Sequence, residues 1–228
     1  MILVLNLKMN LTKTSILEYE NFIHDKKVIV LPQYPYLLLF KKGSYALGSQ
    51  DVSKFAKGSF TGEVCAKGLK GLGVKYVLIG HSERKEHFGE TLSDFKAKIK
   101  NTIDNEMIPI YCINQTREEK NNDPELKLIE DQLEAIPENV KYIIIAFEPT
   151  WLIGGSEEVI DVAHIERVIV KIKDYLVERN INHSIIYGGG INPENIDIIK
   201  NIQGNEGFII SSSALERDKL EIIYDKIK

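Results

Sequence analysis

Eight short apolar runs, spread along the whole chain and separated by segments of helical spacing, limit what this sequence can become more than any other feature. They occupy residues 2–5, 28–31, 45–48, 76–79, 108–112, 142–147, 184–187 and 208–210. Most run on without polar alternation, as do strands covered on both faces in a parallel sheet. Between them apolar residues recur at helical intervals, clearest in Leu92, Phe95, Ile99 and Ile103, and again in Val159, Val162, Ile165, Ile169, Ile172 and Leu176. Asn192-Pro193-Glu194 reads as a helix start, and Ser156-Glu157-Glu158 as the start of the long sixth helix. The charged, asparagine-rich stretch 117–124 reads as an exposed loop before a helix over 125–136.

Eight alternating strand–helix units fit a closed (β/α)₈ barrel or an open doubly wound sheet. The first strand is not followed by G-x-G-x-x-G, and polar residues recur at the carboxyl ends of several runs, where barrels build their sites. The expectation is therefore an α/β protein with a single (β/α)₈ barrel domain over 1–228. A net charge of −4 gives no basic footprint for nucleic acid, and no stretch approaches the roughly 20 apolar residues of a membrane span. The first run is too short for a signal-peptide core, so a cytoplasmic location is expected. Cys65 and Cys112 lack metal spacing and read as reduced thiols, and His24, His87, His164 and His183 show no ligand spacing. Neither a metal nor another cofactor is expected.

The strand ends carry the chemistry. After the first comes Asn6-Leu7-Lys8-Met9-Asn10, where alternation would put Asn6 and Lys8 on one side and Leu7 and Met9 on the other. After the fourth, His81 stands at a strand-to-helix turn, where backbone N–H groups favour a neutral ring. After the sixth, Glu148 is followed by Pro149 and by Trp151, Leu152 and Ile153, which could close over the carboxylate and exclude water. Gly188-Gly189-Gly190 and Ser211-Ser212-Ser213 follow the seventh and eighth, where barrels commonly hold phosphate. Together these parts suggest proton transfer next to a carbonyl in a small phosphorylated substrate.

With these residues in place, the chain resembles the triosephosphate isomerases along nearly its whole length. Six pieces occur in that family's order: Asn6-Leu7-Lys8-Met9-Asn10, Gly58-Ser59-Phe60-Thr61-Gly62-Glu63, Val77-Leu78-Ile79-Gly80-His81-Ser82-Glu83-Arg84, Ala146-Phe147-Glu148-Pro149-Thr150-Trp151, Tyr187-Gly188-Gly189 and Gly207-Phe208. The resemblance implies a triose phosphate substrate, Glu148 as the base, His81 as the electrophile, and Lys8 with Asn6 beside the substrate's charge. It further implies that Gly154, Gly190, Ser211 and Ser212 hold the phosphate and that Glu83 and Cys112 support the site from behind. The loop with Thr61 and Glu63 would enter a partner subunit, giving a homodimer.

Several positions depart from the family pattern. Gly190 stands where serine is usual, removing a hydroxyl that helps latch the lid; Ser211-Ser212 replace a glycine pair and would be strained if either needed positive φ. Leu152, Gly155, Ser156 and Glu157 alter the lid. Asn114-Gln115 stand where glycine and glutamate are usual, with Asn114 tolerating a left-handed backbone and Gln115 removing a carboxylate from the network beneath the site. These changes leave one alternative reading, a phosphate-binding homologue without catalysis.

Overall fold

The structure, a computed structural model, describes residues 1–40, 43–152 and 159–228. Its eight strands are β1 (Ile2–Asn6), β2 (Ile29–Leu31), β3 (Ala46–Ser49), β4 (Tyr76–Ile79), β5 (Ile108–Gln115), β6 (Tyr142–Pro149), β7 (Asn182–Tyr187) and β8 (Gly207–Ile210). They pair in parallel in chain order, and β8 returns to β1, closing the barrel. The helices are α1 (Lys13–Ile23), α2 (Ala66–Gly71), α3 (Ser82–Phe88), α4 (Leu92–Asp104), α5 (Arg117–Asn122), α6 (Lys127–Leu133), α7 (Val162–Glu178), α8 (Ile196–Ile199), α9 (Ser212–Leu215) and α10 (Arg217–Ile227).

The apolar runs are continuous because each strand feeds two cores. Val4, Leu31, Leu78, Ile110, Cys112, Ile144, Ala146, Ile186 and Ile209 fill the barrel, while Leu3, Leu5, Val77, Ile79, Ile143, Ile145 and Phe147 point outward to the helices. On β6 the inward series is Ile144, Ala146, Glu148, so the strand's own period of two delivers the carboxylate to the barrel mouth. Behind the site, Lys98 of α4 is buried between Asp51 (2.7 Å) and Glu90 (2.5 Å), tying the segment after β3 to the end of α3.

Several local expectations need correction. Residues 117–124 are not simply a loop: α5 forms there because Thr116 and Glu119 make a capping box, with Glu119 Oε2 accepting the Thr116 N–H at 2.6 Å. The helix after it, α6, is shorter than 125–136. The start proposed at Ser156-Glu157-Glu158 lies outside the described residues. The sixth unit's helix, α7, begins at Val162, where Asp161 Oδ1 accepts the His164 N–H at 3.0 Å, leaving Val159 ahead of it and exposed. Finally, alternation stops at the end of β1. Leu7 still follows Leu3 and Leu5 into the helix-side core, but Lys8 takes φ 47° and Met9 is left 86% exposed. At 192–195 the expected cap falls one turn early: Asn192 Oδ1 accepts the N–H groups of Glu194 and Asn195 at 3.0 and 2.9 Å, but this closes a turn, and α8 begins at Ile196 with Asn195 in the N-cap position.

Candidate active site

At the carboxyl ends of the strands lies a cavity of about 240 Å³ bordered by Lys8, Asn10, His81, Glu148, Gly188, Gly190, Ser211 and Ser212. Its polar groups are held from behind. Lys8 leaves the extended region directly after β1, and its backbone N–H is taken by Asn6 Oδ1 at 3.2 Å. Its carbonyl accepts from Gln50 Nε2 at 2.9 Å. A positive φ at a lysine costs on the order of 1 kcal/mol, and these bonds hold it. The ammonium lies 2.6 Å from Glu83 Oε1. Burial pushes the Glu83 carboxyl up, but the hydrogen bond from Lys8, the neighbouring His81 ring and the Lys8 charge outweigh it and hold the group below its usual range.

His81 caps α3. Its Nδ1 accepts the Glu83 backbone N–H at 3.3 Å, which assigns the ring hydrogen to Nε2. Nε2 is 3.6 Å from Glu148 Oε1. Glu148 is only 2% exposed, and its other oxygen, Oε2, accepts from Asn114 Nδ2 at 2.7 Å. Gly188 makes room for it, since a Cβ there would meet Glu148 Cγ at 3.1 Å and Ile209 Cγ2 at 2.5 Å. Cys112, fully buried on β5, has its thiol pushed well up by burial, then by the Glu148 charge and its hydrogen bond to that carboxylate. It is a protonated neighbour of the carboxylate, unsuited to nucleophilic attack.

The cavity gathers Lys8, His81, Glu148, Gly190, Ser211 and Ser212, with Asn6, Glu83 and Cys112 immediately behind. Gly154 lies outside the described residues, as do Ile153, Gly155, Ser156 and Glu157. Thr61 and Glu63 sit on an exposed loop and do not border the cavity of their own chain.

The departures look different in three dimensions. Asn114 lies within β5 and has no positive φ, and Ser211 has φ −124°, so neither position carries the left-handed strain considered above. The left-handed residue is Gly190, at φ 54°, where a Cβ would stand 2.2 Å from the Leu152 carbonyl oxygen. Gln115 is fully buried, with its Oε1 2.7 Å from His164 Nε2. Three contributors could not be found from motifs: Asn114 as a donor to the base, Gln50 as a brace for Lys8, and Gln132, which bonds both the N–H and the C=O of Asn114. For Asn114 a signal existed, because it is an inward position one strand away from Glu148.

A closed parallel barrel with a carboxylate, an imidazole and an ammonium converging at its carboxyl end is a (β/α)₈ protein arranged for acid–base chemistry. The family model for triosephosphate isomerase matches residues 1–227. The chain is 33% identical to the triosephosphate isomerase of Alkaliphilus metalliredigens, over 93% of this chain and 94% of that one. It is 33% identical to that of Orientia tsutsugamushi, over 100% and 98%. It is 36% identical to that of Mesomycoplasma hyorhinis, over 75% and 70%. The chain belongs to the triosephosphate isomerase family.

Proposed function

We propose that this single-domain barrel interconverts D-glyceraldehyde 3-phosphate and dihydroxyacetone phosphate, with Glu148 as base and His81 as electrophile. Glu148 removes a proton from the carbon beside the carbonyl, giving an enediolate, and returns a proton to the neighbouring carbon, while the hydroxyl proton passes to the former carbonyl oxygen. His81 Nε2–H donates to the oxygen on which charge develops, and the Lys8 ammonium supports the same charge. The phosphate lies against Gly190, Ser211 and Ser212, where the first N–H groups of α9 have no partner within the helix. The reaction is redox-neutral and moves only protons, so side chains suffice and no cofactor is invoked. The observation that carries the reading is the convergence of Glu148, His81 and Lys8 on one cavity in a chain of this family.

The same reading includes a cytoplasmic homodimer in which the loop bearing Thr61 and Glu63 meets the partner's site. Among the described residues no helix is long and apolar enough to cross a membrane.

A coupled isomerase assay on the purified chain tests the activity. Glu148→Gln should lower kcat by at least 100-fold and His81→Ala by a similar order, each removing one acid–base partner. A wild type no faster than Glu148→Gln would refute the proposal.

A further inference from the structure

Asn114 and Glu148 face each other across two neighbouring strands. In the β5–β6 register they are Cα partners, just as Cys112 is paired with Ala146. Both continue the inward series of their strands, Ile110-Cys112-Asn114 and Ile144-Ala146-Glu148, so both side chains enter the barrel mouth at one level. The result is the 2.7 Å bond from Asn114 Nδ2 to Glu148 Oε2, between a 7% exposed amide and a 2% exposed carboxylate.

The surroundings of Asn114 fix its backbone and leave its side chain one task. Gln132 accepts the Asn114 N–H at 3.1 Å and donates to its C=O at 2.8 Å, while Lys85 Nζ holds Gln132 Oε1 at 2.6 Å. The amide oxygen, Oδ1, is buried with no hydrogen-bond partner among the described residues. The side-chain hydrogen bond that Asn114 makes among the described residues goes to the base.

We propose that Asn114 is a positioning residue for the isomerisation: it anchors Glu148 Oε2 and thereby dedicates Oε1, beside His81, to proton transfer. This rests on Glu148 being the base. A carboxylate's terminal torsion is broad and roughly two-fold, so with only the weak Cys112 thiol donor left the group would exchange its two oxygens and spread over orientations that do not face the carbon. The anchor removes that freedom, and the gain falls on the chemical step, which depends on near-attack geometry. Oε1 is 3.6 Å from His81 Nε2 and borders the space left by Gly188, so base and electrophile address one substrate edge.

The test compares wild type, Asn114→Leu, which keeps the volume without a donor, Asn114→Gly, which removes the amide altogether, and Glu148→Gln. The readouts are kcat and KM for glyceraldehyde 3-phosphate together with the melting temperature. Asn114→Leu should lower kcat about tenfold with KM within about twofold of wild type, the signature of an interaction that acts on the chemical step. A kcat within twofold of wild type, or a change confined to KM, would overturn the proposal. If Asn114→Leu does not fold, Asn114→Gly is read by the same criteria. Failure of the underlying reading has its own mark: Glu148→Gln would then match wild type, whereas an inactive Glu148→Gln beside a fully active Asn114 variant removes only the role of Asn114.

Discussion

At the scale of single residues, Gly190 changes the meaning of this site most. Read as a sequence, it is a missing hydroxyl, and one hydrogen bond lost from a lid latch would slow turnover several-fold. In the fold it is the residue that lets the start of the lid approach β7, because it holds φ 54° and leaves 2.2 Å between a would-be Cβ and the Leu152 carbonyl oxygen. A side chain there collides with backbone, which cannot rotate away. Gly190→Ser is therefore expected to lose stability, by about 1–3 kcal/mol, and to lower kcat/KM instead of restoring a latch. Urea unfolding and steady-state kinetics on the one variant check both; a variant at least as stable and faster than wild type would contradict this account. The hydroxyl's absence was legible in the sequence, but the reason for it was not, since φ depends on how two loops meet.

At the scale of elements, the less legible parts are where short polar segments lean on one another. The strands and α4 were readable because apolar period and length agree, and Phe95 and Ile99 are indeed fully buried. Helix α5 was hidden because its Thr116–Glu119 box stands in a charged stretch with no apolar face. The junction of β5, α7 and the lid's first turn was equally hidden. There Gln115 Oε1 meets His164 Nε2 at 2.7 Å, and the Trp151 ring lies 6.2 Å from the imidazole. Burial, helped by the Lys120 charge and opposed by Asp161, pulls the His164 pKa down from 6.5 to about 4. The unfolded chain then binds this proton at a higher pH than the folded one. Its contribution to stability is full above about pH 6.5 and is lost as pH falls toward about 4. Wild type should lose on the order of 2 kcal/mol more than His164→Gln between pH 7 and pH 4, with unfolding curves at several pH values as the measurement. Parallel stability–pH curves for the two proteins would show that this junction does not couple to protonation.

At the scale of the whole molecule, the barrel and the positions of Lys8, His81 and Glu148 could be read from sequence because each follows a strand and strand order fixes the circle. What surrounds the barrel was less readable, because the stacking of exposed rings depends on packing that no motif records. The loop after β3 shows this. Phe55 and Phe60 stack with centroids 3.7 Å apart and planes 2° from parallel, yet they are 37% and 39% exposed. Met9, directly after the site lysine, is 86% exposed, and Phe88 at the end of α3 is 65% exposed. A loop stiffened by stacked aromatics is already ordered for docking, which lowers the entropy lost on association. In the proposed homodimer these exposed apolar side chains would be covered by the second copy. Light scattering should therefore find a dimer at micromolar concentration. Thr61→Arg, which places a bulky charge on that loop, should shift it toward monomer and lower kcat/KM at least tenfold, because Lys8 and the Met9 side chain would lose their cover. Full activity in a monomeric Thr61→Arg protein would refute the coupling between assembly and catalysis, leaving the barrel complete on its own.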